Sequence, residues 1–70
     1  MDFNYEKSVL TPKESEVVKL LAKGHSRKEI AYELGIKYGT LDTHIKHIFI
    51  KLKTRSMTET AIYAIHNKIA

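Results

Sequence analysis

Apolar residues recur along this chain at helical spacing, in four groups separated by glycine or by short polar stretches. Val17, Val18, Leu20 and Leu21 form the first group and Ile30, Ala31 and Leu34 the second; Leu41, Ile45, Ile48 and Leu52 form the third, and Ala61, Ile62, Ala64, Ile65 and Ile69 the fourth. Steps of three and four put each group on one side of a helix. The polar positions mark where the helices begin. Thr11-Pro12-Lys13-Glu14, Ser26-Arg27-Lys28-Glu29 and Ser56-Met57-Thr58-Glu59 each place a hydroxyl residue three positions before a glutamate, the pattern of a capping box, and Pro12 suits a first helical position. Gly24 and Gly35 close the first two helices. The pattern predicts an all-α fold with helices at about 12–23, 27–34, 39–53 and 57–68. A polar lead-in over 1–9, with Phe3, Tyr5 and Val9, precedes a single domain at 10–70; either Phe3 and Tyr5 cap the core edge or the tail is loose.

A short helix, a glycine turn and a longer helix make a helix-turn-helix, with Ile30, Leu34, Ile36 and Leu41 where the two helices meet. The small Ala31 allows a close crossing. On the third helix, Leu41, Ile45, Ile48 and Leu52 point to a core. The opposite side carries Gly39, Asp42, Thr43 and Lys46, then Ile50 and Lys53, with His47 and Lys51 on one flank. This helix alone lacks the capping box. Its start, Ile36-Lys37-Tyr38-Gly39-Thr40, either is capped by Thr40 or stays open, and an open start offers backbone N–H groups to a phosphate. Gly39 would let that backbone come close to a nucleic acid.

Composition narrows the partner. Lys37, Lys46, Lys51, Lys53 and Arg55 stand against Asp42 between residues 37 and 55, so this segment carries +4, the net charge of the whole 70-residue chain. A basic excess confined to one helix and the turn after it points to an anionic partner such as nucleic acid, and with the two-sided pattern of that helix the reading is a recognition helix for double-stranded DNA. A merely solvated basic face is the plainer alternative, and a membrane surface is disfavoured because no large aromatics accompany the charges. The chain contains no cysteine, which excludes disulfides and cysteine-ligated zinc. His44 and His47 are three apart, a spacing used by some metal sites, but Asp42 is the only nearby carboxylate; one packs at the core edge and one lies near phosphate. No nucleophile–base pair and no glycine-rich phosphate loop is evident. The expectation is a non-enzymatic, soluble, cytoplasmic and nucleoid-associated protein with no metal, no cofactor and no membrane partner.

Taken together, these residues resemble the LuxR-type (LuxR/FixJ, GerE-like) helix-turn-helix family. The resemblance is carried by Leu10-Thr11-Pro12-Lys13-Glu14, Leu20-Leu21-Ala22-Lys23-Gly24, Lys28-Glu29-Ile30-Ala31, Thr40-Leu41, Thr43-His44-Ile45, Lys51-Leu52 and Glu59-Thr60-Ala61, and it extends from residue 10 to about 64. It implies the DNA-binding domain of a bacterial transcription regulator, often a response regulator, with the third helix in the major groove and the fourth in a two-fold dimer. Carried over by position, base reading falls to Asp42, Thr43 and Lys46. Phosphate contacts fall to Ser26, Arg27, Lys28, Thr40, His47 and Lys51, and the basic cluster adds Lys53 and Arg55. Ala61, Ile62, Ala64 and Ile65 are the expected dimer interface, and RNA polymerase is a further partner in view.

The chain departs from the family where Lys or Arg commonly stands in place of Asp42, Ser or Thr in place of Lys37, and Arg in place of Met57. Asp42 precedes Lys46 by four residues, so the pair can form a bridge within the helix that aims the Lys46 ammonium, or the carboxylate can accept from cytosine N4 in the major groove. Asp42 also favours an alternative reading, a helical protein-interaction module using the fourth helix or Ile50. A sigma-factor region 4-like domain is a second alternative, disfavoured by the Thr-Pro-Lys-Glu start and the alanine-bearing last helix.

Overall fold

The computed structural model describes residues 10–68, in which the chain forms four α-helices and, among the described residues, no strand. They are α1 (Pro12–Ala22), α2 (Arg27–Leu34), α3 (Tyr38–Leu52) and α4 (Met57–His66). The expectations for Phe3, Tyr5, Val9 and Ile69 fall outside the described residues. The expected ends move by one or two positions. Lys23 caps α1 rather than ending it, α3 begins at Tyr38 and ends at Leu52, and α4 stops at His66 with Asn67 as its cap.

Two of the three capping boxes close as the sequence predicts. The Thr11 hydroxyl accepts from the Glu14 N–H at 3.1 Å while the Glu14 carboxylate accepts from the Thr11 N–H at 2.9 Å, and Ser26 and Glu29 repeat the exchange at 3.2 and 2.8 Å. The third is only half a box. Ser56 caps the Glu59 N–H at 3.0 Å, but the Glu59 carboxylate reaches one residue further back, to the Arg55 N–H at 2.7 Å. It thereby ties the α3–α4 connection to the first turn of α4.

Three helices end in the same way. A residue with positive φ follows the last turn, and the next N–H donates five residues back: His25 to Leu20 after Gly24, Ile36 to Ala31 after Gly35, and Thr54 to Phe49 after Lys53. Gly24 and Gly35 adopt this conformation cheaply, whereas Lys53, at φ 57°, carries a Cβ in the left-handed region.

The apolar faces meet in one core. Val17, Val18, Ile30, Leu41, Ile45, Ile48 and Ala64 are fully buried, with Leu10, Leu21, Ala31 and Leu52 closing the edges. α1 packs on the other three helices, most extensively on α4, and α2 packs on α3. Met57 and Tyr63 lie half-buried against the core. Two buried threonines are matched: the Thr54 and Thr60 hydroxyls are 2.7 Å apart, and Thr60 also donates to the Ser56 carbonyl at 2.8 Å. These bonds offset the cost of burying both threonines beneath the α3–α4 turn. The packing of α1 and α2 fixes the inward side of α3, so its other side is set outward.

Candidate nucleic-acid interface

The start of α3 is open. Lys37 occupies the cap position, no side chain among the described residues caps the N–H groups of the first turn, and no acidic residue lies in it. The unbonded N–H groups of a first turn carry the positive end of the helix dipole. Thr40, one expected cap, makes no such bond. Gly39 is exposed, has ordinary helical backbone, and a Cβ added there would meet nothing within 4 Å. Neither packing nor backbone conformation therefore demands a glycine. Gly39→Ala is expected to raise thermal stability slightly, by up to about 1 kcal/mol, because alanine favours the helix. If the bare backbone serves a close approach to DNA, the same variant binds duplex more weakly; a thermal melt and a titration on one preparation read both effects.

Along the outward side, Thr43 and Lys46 are exposed and Asp42 is half-exposed. The Thr43 hydroxyl lies 3.2 Å from the Gly39 carbonyl, a bond to the helix's own backbone that leaves the methyl as the group for outside contact. Asp42 does not bridge to Lys46. It faces Arg27 at the start of α2, with Oδ1 3.6 Å from the guanidinium Nε, which sets the α2 N-terminus beside the first turns of α3. Spacing along one helix gave the expected pair; proximity across the turn, invisible in sequence, decided the real one.

Lys51 differs more from its expected role. Its ammonium donates to the Glu14 carboxylate at 2.8 Å, joining α3 to the start of α1, and Glu14 is 3% exposed. Burial pushes the Glu14 carboxyl up, but the Lys51 hydrogen bond, the Thr11 N–H and the charges of Lys51 and His47 outweigh it, so the group sits below its ordinary value. Lys51 is thus a strut of the fold before it is a phosphate ligand.

The remaining cations are available. Lys28, Lys46, Lys53 and Arg55 are exposed and carry no ion pair among the described residues, and His47 and Thr40 are exposed as well. Ser26 is exposed, but its hydroxyl is committed to capping α2. His25 is half-buried, and its Nδ1 has no hydrogen-bond partner among the described residues. Ile50 stands 73% exposed on the outward side of α3.

Of the expected dimer residues, Ala64 is a correction. It is fully buried within the monomer, where α4 lies on the core, so its side chain has nothing to offer a second copy. Ile62 and Ile65 are exposed and Ala61 is half-buried, at the rim of a shallow apolar depression shared with Leu21 and Met57. Among the described residues no helix is long and apolar enough to cross a membrane.

Comparison with known proteins adds to this geometry. The sequence profile of the luxR family of bacterial regulatory proteins matches residues 8–64. The nitrate/nitrite response regulator protein NarL of Escherichia coli (strain K12) is 38% identical over 60 residues, which is 86% of this chain and 28% of that protein. The response regulator protein VraR of Staphylococcus aureus (strain Mu3) is 42% identical over 62 residues, 87% of this chain and 30% of that protein. The chain thus spans less than a third of the length of these relatives.

Proposed function

The chain belongs to the luxR family of bacterial regulatory proteins, a family of helix-turn-helix DNA-binding domains of transcription regulators, and from that premise we propose that it is the DNA-reading output unit of such a regulator, with α3 in the major groove. The observation that carries the proposal is the outward side of α3: an uncapped start, exposed Thr43 and Lys46, and beyond them Lys53 and Arg55, exposed and without an ion pair among the described residues. Lys46 reads guanine, the Thr43 methyl meets a thymine methyl, and Asp42 accepts from cytosine N4. The open helix start, Thr40, Lys28, Lys53 and Arg55 bind phosphates and release counterions, which gives affinity for any sequence.

Two copies joined through Ile62 and Ile65 would present two such helices roughly one DNA turn, about 34 Å, apart and favour an inverted repeat. The exposure of these two isoleucines, on a helix whose buried side is Thr60 and Ala64, supports that arrangement. By analogy with the two relatives, the regulator is a response regulator with a signal-receiving part outside this chain.

The test is binding to a random-sequence duplex across a salt series. Log affinity is expected to fall linearly with log salt, at a slope of roughly −0.9 per phosphate contact. Lys46→Ala is expected to weaken binding to a selected site by about 1–3 kcal/mol and to relax one position of it. No binding at low salt would overturn the reading in favour of a protein-interaction module.

A further inference from the structure

Asp42 is the single acidic residue between positions 37 and 55, and it stands on the side of α3 proposed to face DNA. A lone carboxylate there repels phosphates at every sequence. It is not alone, because Arg27 Nε approaches Asp42 Oδ1 at 3.6 Å, with the two side chains 41% and 45% exposed. That distance is just beyond a hydrogen bond, and Arg27 Nε is buried with no hydrogen-bond partner among the described residues. Within a side chain that is 41% exposed, the buried Nε faces inward and the exposed area belongs to other atoms. A guanidinium has five donors in a planar fork, so its outer edge can hold a phosphate while the Nε side faces the Asp42 carboxylate at ion-pair distance.

We infer that Arg27 and Asp42 act as one specificity-determining unit. Arg27 neutralises Asp42 and fixes its position, and Asp42 accepts from cytosine N4 in the major groove. The identity of one base pair then depends on Arg27, a residue of another helix that touches no base. Arg27 is a positioning residue here, more than the phosphate contact its sequence position implies. The inference rests on the DNA-binding reading above.

The experiment uses the whole chain. Preferred duplexes are first selected from a randomised pool with the wild type. Affinities of the wild type, Arg27→Ala, Asp42→Ala and the double variant are then measured on the selected duplex and on one with a single C·G pair changed to T·A at the position that the Asp42 variant relaxes. Both residues are partly exposed, so melting curves should show that all variants remain folded. The wild type is expected to discriminate the two duplexes about fivefold or more, one good base contact. Arg27→Ala and Asp42→Ala should each abolish that ratio, and the double variant should lose no more of it than either single one. Arg27→Ala should also bind both duplexes more weakly, with Asp42→Ala added to it restoring much of that loss.

Equal weakening of both duplexes by Arg27→Ala, with the ratio kept, would make Arg27 a phosphate contact only and overturn the inference. A selected sequence unchanged by Asp42→Ala would overturn it as well. Failure of the underlying reading is separable, since the wild type would then bind no duplex before any variant is compared.

Discussion

Ile45→Ala is expected to remove about 3–4 kcal/mol of folding stability. Ile45 is 1% exposed, on the side of α3 that packs against α1 and α2, among neighbours held at their own fully buried positions. Truncation therefore leaves a cavity that the helices cannot close without tilting α3. A chain of 70 residues has a total stability of about 3–10 kcal/mol, so this one change removes a large share of it. Urea unfolding at neutral pH measures the effect. Ile50→Ala is the internal control: it removes a similar volume from a residue 73% exposed on the same helix and is expected to cost under about 0.5 kcal/mol. Comparable losses from both would mean that α3 is not seated as described.

The second large effect is at Lys51. Lys51→Ala is expected to destabilise the fold by about 2 kcal/mol at pH 7, because it strips the charged donor from a buried carboxylate. Glu14 keeps the Thr11 N–H but loses the hydrogen bond and the nearest charge that together overcome its burial. The pH dependence follows from the sign of the shift. In the wild type the folded carboxyl titrates below the unfolded one, so the stabilisation is present above the ordinary glutamate range and is lost as pH falls through the folded value. In the variant both Lys51 contributions are gone, so the carboxyl moves up from its wild-type position. The stability gap between wild type and variant should therefore shrink on acidification from pH 7 to about 3.5, near the ordinary glutamate range. A gap that does not change with pH would show that Lys51 contributes by packing of its stem alone.

This alters what Lys51→Ala can say about DNA. From sequence, Lys51 is one more cation on a basic helix, and its loss flattens the salt dependence of binding. With its ammonium on Glu14, much of any lost affinity reflects the fold, so affinities of this variant have to be compared where it is fully folded.

The four helices were legible because their signals are local. Apolar spacing of three and four, Thr11 and Ser26 three residues before a glutamate, and glycine after α1 and α2 each act within one or two turns of chain. The uncapped start of α3 was legible for the same reason, as the one start without the device. What sequence did not yield is what joins distant segments. Glu14 with Lys51 spans 37 positions, and Arg27 with Asp42 spans two helices. Charges read as one basic surface sort into two roles once the helices are packed, some holding the fold and some facing out. Ala64 was misassigned because a small residue suits close packing equally well inside a monomer and between two; only the burial of α4 against α1 separates the cases. The Thr54–Thr60 pair left no trace in the pattern, because two threonines six apart have no periodicity to mark them.

Lys53 sets two engineering goals against each other. Its φ of 57° is one that glycine adopts without a steric penalty, so a library sorted only for heat resistance has reason to return glycine at that position. The same exchange deletes an exposed cation next to Arg55. Sorting such a library for operator occupancy instead would retain the lysine, and laboratory evolution under the two regimes should diverge at this site.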